Sequence, residues 1–294
     1  MHKLLLKFKK KSTSEKVTYI FYFVFFVLMA IIYLMPILIT FFNSFRTLAD
    51  YTSETRKWYE LPAPFQFDSW ANIFVDFKYK TYTFWDMLFN SVWYLALKVT
   101  VNVLSSTLLA YAIARFRFPG KNFLYGLAIF SQTVPIIGSG AAGYRLFVTL
   151  GLVDNPALIW IAWAVGFDYA FIILYGTFKG ISMTYSEAAK IDGANNFVVL
   201  FKIILPQAFP AMVALAVTQA IGVWNDYSTP MIYLRKFPTL AYGLYLFSAE
   251  SQNLPNANAT YCAGVILSMI PVIILYASMQ KLILTNLTTG GLKG

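Results

Sequence analysis

The stretch VTYIFYFVFFVLMAIIYLMPILITFF, Val17–Phe42, contains no charged residue and decides the fold class. A helix that crosses the hydrocarbon core of a bilayer needs about 20 mainly apolar residues, so this stretch is long enough to span a membrane. Its apolar run far exceeds the roughly 7–15 residues of a signal-peptide core, and no small-x-small cleavage pattern follows it. We therefore expect it to remain as a membrane anchor.

The composition of the whole chain extends this prediction. Of 294 residues, 59% are hydrophobic and only 12% are charged, whereas a soluble domain carries about 25% charged residues. Lipid is therefore the expected solvent for most of the surface. The net charge of +10 fits lysine-rich and arginine-rich cytoplasmic loops, and we do not take it as a sign of a nucleic-acid partner.

Metal and thiol chemistry find little support in the sequence. The chain has one cysteine, Cys262, and one histidine, His2. A lone cysteine cannot form an internal disulfide, and the chain has no His/Cys cluster for zinc or a nucleophilic triad. Cys262 is expected to be a small buried apolar residue, and we predict no metal or cofactor in this chain.

Six apolar segments are long enough to span a bilayer, which predicts an all-α, polytopic membrane protein with six transmembrane helices. The segments are Val17–Phe42, Leu88–Ile113, Asn122–Tyr144, Pro156–Phe178, Ile203–Leu234 and Thr260–Leu284. We divide the chain into a basic cytoplasmic segment (1–16), a transmembrane domain (17–284) with a cytoplasmic loop (179–202), and a cytoplasmic tail (285–294).

The distribution of basic residues predicts the orientation, because cytoplasmic loops are enriched in lysine and arginine. The basic residues of the N-terminal segment and of the second and fourth loops are Lys3, Lys7, Lys9, Lys10, Lys11, Lys16, Arg115, Arg117, Lys121, Lys179, Lys190 and Lys202. Both termini are therefore expected in the cytoplasm. Only the fifth loop, with Arg235 and Lys236, is basic on the outward side.

A short charged segment, EAAKIDGANNFVVLFKIILP (Glu187–Pro206), lies between the fourth and fifth apolar segments. Thr184 precedes Glu187 by three residues, which is the spacing of a capping box. Gly193 is a natural helix stop, and Pro206 fits the first turn of the next helix. The pattern predicts a short helix on the cytoplasmic side, and on helix signals alone it would equally suit an interfacial connector.

The spacing of this segment resembles the EAA–G–I–LP loop of ABC importer permeases. Further resemblance to carbohydrate permeases of the maltose type (MalG-like) lies in FNSVWYLALKVTVNVLSSTLLAYAIARFRFPGK, in WNDY at Trp224–Tyr227 and in the terminal LTTGGLKG. The resemblance covers nearly the whole chain. It implies the type I ABC importer permease fold in a prokaryotic inner or plasma membrane, and it leaves the identity of the sugar open.

The resemblance also implies which residues contact the ATPase. In the loop these are Glu187, Ala188, Ala189, Asp192, Gly193, Ile203, Leu205 and Pro206. Small alanines would allow close approach, Glu187 would pair with a basic group, and Gly193 would allow a turn forbidden to most residues. The tail residues are Gly290, Gly291, Lys293 and Gly294; composition alone would favour a frayed terminus.

The implied partners complete an importer. They are a second, MalF-like permease subunit, a dimeric ATPase that binds ATP and Mg, an extracytoplasmic solute-binding protein, membrane lipid and the sugar itself. The chain has no GxxxxGK[ST] phosphate loop, so we expect ATP hydrolysis to reside in the separate ATPase and this chain not to be an enzyme.

Three charged residues, Lys98, Asp168 and Asp226, lie within or near predicted spans. A charge at the bilayer centre costs at least about 2.5–3.5 kcal/mol, so each should face the bundle interior, a partner subunit or water. For Asp226 a structural role beside the pore is favoured. For Lys98 and Asp168, snorkelling at a helix end or packing between subunits is the simpler expectation.

Aromatic residues make up 18% of the chain, and interfacial belts of Trp and Tyr account for most of them. Rings also stack on sugar faces, so some could line a substrate path. The candidates for this path are Trp160, Trp163, Tyr169, Trp224, Asn225, Asp226 and Tyr227.

Other functions remain open at this point. An ion-coupled secondary transporter would use Asp168 or Asp226 to bind ions. An ABC permease for a solute other than a sugar would keep the loop but not need the MalG-like tail. A membrane-embedded enzyme such as a glycosyltransferase is disfavoured, because the outward acids are scattered and no histidine accompanies them.

Overall fold

The computed structural model describes residues 12–53, 55, 57, 59–134, 140–164, 166–250 and 257–290, with the backbone alone for 250 and 281–290. The chain forms two compact units. The first comprises Met1–Phe77 and Glu250–Leu267, and the second comprises Lys78–Ala249 and Ser268–Gly294. The predicted tail residues Gly291, Lys293 and Gly294 lie outside the described residues.

The first unit is built on one long helix. Its elements are α1 (Thr13–Asn43), α2 (Leu48–Thr52), α3 (Asp68–Asp76) and the first part of α14, a helix that runs over Ala257–Gly290. A capping box between Ser12 and Glu15 begins α1. None of the residues of α1 is buried, and its most apolar window has a mean hydropathy of 2.7. Such a surface is stable only against lipid or another protein.

The chain after α1 is fixed by a buried arginine. Arg46 donates hydrogen bonds to the carbonyl oxygens of Lys57, at 2.7 Å, and Glu60, and it pairs with Asp50 at 3.6 Å. Tyr51 is also largely buried, which raises the pKa of its hydroxyl above the usual value. That hydroxyl lies 3.7 Å from the sulfur of Cys262. Cys262 was expected to have only apolar surroundings, and this contact shows that it does not.

The second unit begins with a two-stranded antiparallel hairpin and continues as helices. The elements are β1 (Lys78–Tyr79), β2 (Tyr82–Thr83), α4 (Phe84–Arg115), α5 (Lys121–Thr133), α6 (Gly140–Thr149), α7 (Trp160–Trp163), α8 (Tyr169–Gly180), α9 (Met183–Ile191), α10 (Asn196–Val198), a π-helical segment (Val199–Ile204), α11 (Leu205–Trp224), α12 (Ser228–Tyr233), α13 (Leu240–Glu250) and the remainder of α14. In the hairpin, Lys78 lies opposite Thr83.

Within the described part of the chain, four helices are long and apolar enough to cross a bilayer. They are Thr13–Asn43, Phe84–Arg115, Asn196–Trp224 and Ala257–Gln280. They correspond to the first, second, fifth and sixth predicted spans. The third predicted span falls on α5 and α6, and the fourth falls on α7 and α8, so each of these is divided into shorter helices.

The fifth span differs from its prediction at both ends. It was expected over Ile203–Leu234, but the backbone is helical from Asn196 and α11 ends at Trp224. The π-helical segment lies directly before Leu205 and Pro206, and the Leu205 amide bonds to the carbonyl of Leu200, five residues back. Proline lacks the amide hydrogen that an ordinary helical turn needs. The wider π-helical turn therefore lies where Pro206 would interrupt the regular series of α-helical hydrogen bonds.

One core cluster of the second unit joins the end of α4, helix α8, the π-helical segment and the first part of α11 to α9. Ile113, Phe171, Phe178 and Ile204 are fully enclosed there, and Ala189 of α9 packs into the same cluster. The short helix is therefore part of the folded body of this unit. Apolar burial of this kind contributes about 25 cal/mol for each Å² removed from contact with water.

Candidate functional site

A polar cavity of about 660 Å³ lies within the second unit. Its walls come from α4, the region of α7 and α8, and the end of α11. The lining residues are Lys98, Asn102, Ala162, Trp163, Asp168, Gln219, Gly222, Val223 and Asp226. The three charged residues that lie within or near predicted spans therefore share one cavity.

An ion pair joins two walls of this cavity. The Nζ atom of Lys98 lies 3.0 Å from Oδ2 of Asp226 and donates to the Tyr94 hydroxyl at 2.9 Å. The Tyr94 hydroxyl in turn donates to Asp226 at 3.1 Å. Each of the two charged groups therefore has an oppositely charged partner and further hydrogen bonds. Buried charges are tolerated when they are paired and bonded in this way.

The other carboxylate lies where the fourth predicted span is interrupted. Helix α7 ends at Trp163, and α8 begins after Asp168, whose Oδ1 accepts from the Phe171 amide at 3.0 Å and from the Ser106 hydroxyl at 2.8 Å. Between them, Gly166 has φ +71°, and a Cβ there would lie 3.3 Å from the Ser105 carbonyl oxygen. Glycine permits both this conformation and the close approach to α4.

A second helix interruption borders the same cavity. Helix α11 ends at Trp224 and α12 begins at Ser228. The carboxylate of Asp226, between them, accepts from the Thr229 amide at 2.9 Å. Each aspartate of the cavity therefore supports a break in a helix, and irregular backbone at membrane depth is tolerated where it lines a cavity.

Two amide side chains complete the polar lining. Nε2 of Gln219 donates to Oδ1 of Asn102 at 2.7 Å. The Trp163 ring packs edge-on against Tyr94, with ring centroids 5.3 Å apart, and lies 6.0 Å from the Lys98 ammonium. The wall thus combines charge, amide and aromatic groups, a composition typical of ligand pockets.

Of the seven predicted path residues, the cavity includes Trp163 and Asp226. Trp224 is buried, donates to the Ser268 carbonyl at 2.9 Å and borders a separate apolar pocket of about 140 Å³. Tyr227 stacks on the ring of Tyr245 at 4.7 Å. The remaining three, Trp160, Tyr169 and Asn225, have exposed side chains and lie outside the cavity wall.

The short charged helix also exists, as α9, but the predicted cap at Thr184 is wrong. Ser182 is the N-cap, and its side chain accepts from the Thr184 amide at 3.3 Å. The Thr184 hydroxyl instead bonds to the Ser182 hydroxyl at 3.0 Å. The helix begins two residues earlier than the capping-box pattern required, so Glu187 does not occupy the reciprocal position.

The predicted helix stop at Gly193 is confirmed in detail. Gly193 has φ +82°. Its amide donates to the backbone carbonyl oxygen of Lys190 at 3.0 Å, and the Ala194 amide donates to that of Ala189 at 2.9 Å. These two bonds form a Schellman motif, in which the glycine takes the left-handed conformation. Apart from Gly193 and its chain neighbours, no atom of the described residues lies within 4 Å of a Cβ built at Gly193, so the requirement is conformational and not steric.

The two alanines of the EAA motif face different surroundings. Ala189 is only 8% exposed and packs into the core of its own chain. Glu187, Ala188, Asp192 and Gly193 are exposed. A contact between Ala189 and a partner protein, as the resemblance implied, would therefore need the core to open, whereas the other four are accessible.

The apolar side of the same region is unusually open. Ile191 is 86% exposed and Phe197 is 74% exposed. Ile203 and Leu205, by contrast, pack partly against the core, and Pro206 is exposed. Arg115 fixes the beginning of the region, because its guanidinium donates to the Ile181 carbonyl oxygen at 2.7 Å.

Sequence reasoning missed two polar residues of the cavity wall, Asn102 and Gln219, and two residues that bond to its carboxylates, Tyr94 and Ser106. Tyr94, Asn102, Ser106 and Gln219 carry no individual signal, because polar residues within an apolar segment are common. The spacing of Lys98, Asn102 and Ser106 at four-residue intervals does place them on one side of α4. Among the described residues, no group of three His, Cys, Asp or Glu side chains is placed to hold a metal ion.

The chain is similar to known transport proteins over most of its length. A permease protein of an arabinooligosaccharide transport system from Halalkalibacterium halodurans is 29% identical, covering 72% of this chain and 75% of the relative. A permease protein of a polygalacturonan/rhamnogalacturonan transport system from Bacillus subtilis is 28% identical, covering 92% of this chain and 96% of the relative.

A solved structure agrees with these relatives. The crystal structure of a bacterial ABC transporter involved in the import of the acidic polysaccharide alginate contains a chain with a TM-score of 0.77 and 28% identity. The match covers 92% of this chain and 98% of that one. The family model for the inner membrane component of binding-protein-dependent transport systems matches residues 103–288. The chain belongs to this family of membrane transport components.

Proposed function

We propose that this chain is the transmembrane permease subunit of an ATP-driven importer for a sugar or oligosaccharide and forms half of its translocation pore. The observation that carries the proposal is the pairing of a polar cavity with a rigidly held, exposed helix within one family member. The relatives supply the substrate class, because the names of several describe transport of oligosaccharides or polysaccharides.

The exposed helix α9 is the proposed contact with a separate ATPase. Glu187 presents a free-standing carboxylate at the surface, Ala188 leaves room for close approach, and Ile191 presents an apolar side chain. The Schellman motif at Gly193 fixes where the helix ends. A docking element must keep its shape under load, and α9 is held at both ends.

The remaining subunits follow from the same proposal. A MalF-like permease completes the pore, a dimeric ATPase binds ATP and Mg, and an extracytoplasmic binding protein delivers the sugar. The chain crosses a prokaryotic inner or plasma membrane six times with both termini in the cytoplasm, its third and fourth crossings being divided helices. The tail, residues 285–294, reaches the ATPase.

The proposed mechanism is alternating access. Helix α9 packs into the cluster formed by α4, α8 and α11, and these helices also supply walls of the cavity. A displacement of α9 by the closing ATPase would therefore be transmitted to the cavity through contacts within the second unit. ATP performs this work only through its different affinity for the two states, because a ligand shifts an equilibrium by that difference alone.

The ion-coupled alternative is less well supported by the cavity. Asp226 accepts from Lys98, Tyr94 and the Thr229 amide. Asp168 accepts from the Ser106 hydroxyl and the Phe171 amide through Oδ1. An ion that needs carboxylate oxygens from both residues would have to displace the bonds to Asp226.

Reconstitution tests the proposal. The full-length chain is incorporated into liposomes alone, and with its ATPase, second permease and binding protein. We expect uptake of labelled oligosaccharide only in the complete system, with ATP and Mg on the side of the membrane where the ATPase lies. Uptake by the chain alone, driven by an ion gradient without ATP, would contradict the proposal.

A further inference from the structure

We infer that the cavity around Lys98, Asn102 and Asp168 is a saccharide subsite that accepts uncharged sugars and disfavours uronates. The inference rests on the proposed function and narrows its substrate class. Its basis is the balance of charge and hydrogen-bonding groups on the cavity wall.

The cavity wall carries more negative than positive charge. Its ionisable lining residues are one cation, Lys98, and two carboxylates, Asp168 and Asp226. Lys98 lies 3.0 Å from Asp226, so the charges of these two residues balance each other. Asp168 is bonded by an amide and a hydroxyl, which are neutral donors. Among the described lining residues, one carboxylate is therefore left without a counter-charge.

This excess charge opposes an acidic ligand. A uronate carboxylate entering the cavity would be repelled by Asp168, which is partly buried, so water screens this repulsion less than it would between two fully exposed carboxylates. Lys98, the one cation of the lining that the structure describes, is held by Asp226 and Tyr94. A site discriminates strongly when it leaves the wrong ligand with an unpaired charge.

The same wall suits hydroxyl groups. The bond from Gln219 to Asn102 uses one donor of the first amide and the carbonyl oxygen of the second. The NH₂ group of Asn102 and the carbonyl oxygen of Gln219 are left as a donor and an acceptor beside each other. A sugar hydroxyl both donates and accepts, so two neighbouring hydroxyls can satisfy this pair.

Size and an aromatic wall complete the match. A volume of about 660 Å³ falls within the range of about 300–1,000 Å³ that small-molecule pockets occupy. Trp163, whose ring is locked against Tyr94, adds an apolar surface to the polar wall. Sugars present both hydroxyl-bearing edges and C–H faces, and this cavity offers partners to both.

Matched ligands test the inference. The probes are trigalacturonate, triglucuronate and trimannuronate, each compared with its carboxyl-reduced, uncharged form. Binding to the purified full-length chain with its copurifying subunits is measured by calorimetry. We expect at least one uncharged form to bind about tenfold or more tighter than its acid, a ratio that one unpaired charge can provide.

A substitution assigns the discrimination to one residue. Asp168→Asn removes the charge and keeps an N-cap acceptor, so the ratio of affinities should fall to about twofold or less. Asp76→Asn, at an exposed acid of α3, is the matched control and should leave the ratio unchanged. Equal or tighter binding of the acids, no binding of any probe, or an unchanged ratio in Asp168→Asn would overturn the inference.

The outcome is separable from that of the proposed function. ATP-driven uptake of any oligosaccharide by the complete system supports the proposed function whatever the binding ratio is. Uptake with no preference for uncharged probes rejects the subsite and keeps the importer. Absence of ATP-driven uptake of every glycan rejects the importer itself.

Discussion

The polar cavity and helix α9 lie in the same unit, but the charged and apolar side chains of the two regions have opposite surroundings. In the cavity, Lys98 and Asp226 satisfy each other. On α9, Glu187 and Lys190 are exposed, and the apolar Ile191 is 86% exposed. The ion pair of the cavity is made entirely by groups of this chain, whereas the outer side of α9 has the character of a surface that a partner covers.

The difference predicts where defects should appear. A change inside the cavity should be measurable in the isolated chain, because the interacting groups are all present there. A change on the outer side of α9 should be measurable mainly in the assembled complex. Each substitution below tests whether its effect appears in the isolated chain or in the assembled complex.

The largest effect on the isolated chain is expected from Lys98→Met. The side chains of Lys98 and Asp226 are 23% and 19% exposed, so the remaining carboxylate would lose its charged partner in a mostly enclosed site. Breaking a buried pair by removing one partner costs about 3–5 kcal/mol, and the partial exposure places this case near about 3 kcal/mol. Denaturant unfolding of the detergent-solubilised chain measures the loss.

A double substitution separates charge from packing. Lys98→Met combined with Asp226→Asn contains no unpaired charge and keeps an oxygen for the Thr229 amide, so at least half of the lost stability should return. Lys190→Met, at an exposed lysine of α9, should change the free energy of unfolding by less than about 0.5 kcal/mol. A double variant no more stable than Lys98→Met would show that the ion pair does not determine the effect.

The next effect should appear in the assembly. Gly193→Val places a β-branched residue at φ +82°, a conformation that costs about 1–3 kcal/mol. Because nothing lies within 4 Å of the added Cβ, the strain should be relieved by reorienting the end of α9. We expect retention of the ATPase during purification to fall about tenfold, with a smaller loss of stability in the isolated chain than for Lys98→Met.

A glycine with ordinary backbone geometry provides the control for this substitution. Gly180→Val also introduces a side chain into open space, but Gly180 does not have a positive φ. It should leave both ATPase retention and transport near the wild-type level. Unchanged copurification and transport in Gly193→Val would mean that the shape of this turn does not matter for docking.

A smaller, local effect is expected at the beginning of α9. Arg115→Met removes the bond from the guanidinium to the Ile181 carbonyl oxygen, and bonds from charged groups contribute about 1.5–3 kcal/mol, less where water competes. Hydrogen exchange of the α9 amides should accelerate by about tenfold. Arg117→Met, at the exposed arginine two residues later, should leave exchange unchanged, and equal acceleration in both would exclude a specific role for Arg115.

The sequence predicted best those features that depend on local pattern. The long apolar helices and the glycine stop at Gly193 were predicted because length, hydropathy and backbone freedom act within a few residues. The cap at Thr184 failed because Ser182 competes two positions earlier, and both residues have cap-forming hydroxyls. Local propensity cannot decide between two such neighbours when tertiary packing fixes where the helix begins.

The cavity could not be predicted because it depends on distant pairings. Lys98 and Asp226 are 128 positions apart, and Ser106 and Asp168 are 62 apart. Their charges were recognised as costly in a membrane, but no local pattern indicates which group satisfies which. The divided fourth span has the same cause, since its break at Gly166 is set by close approach to α4.

The smallest effect tests how firmly Asp168 is held. Ser106→Ala removes the hydroxyl bond to Oδ1 and leaves the bond from the Phe171 amide, so the free energy of unfolding should fall by about 1 kcal/mol. Ser105→Ala is the matched control, because its hydroxyl donates to the Asn102 carbonyl oxygen of its own helix and not to Asp168, and its effect should be close to zero. The loss should appear fully in the isolated chain, as the cavity requires. A loss of stability seen only with the ATPase present would mean that the Ser106–Asp168 bond depends on the assembly. Effects inside the cavity and effects on α9 could then no longer be separated by comparing the isolated chain with the complex.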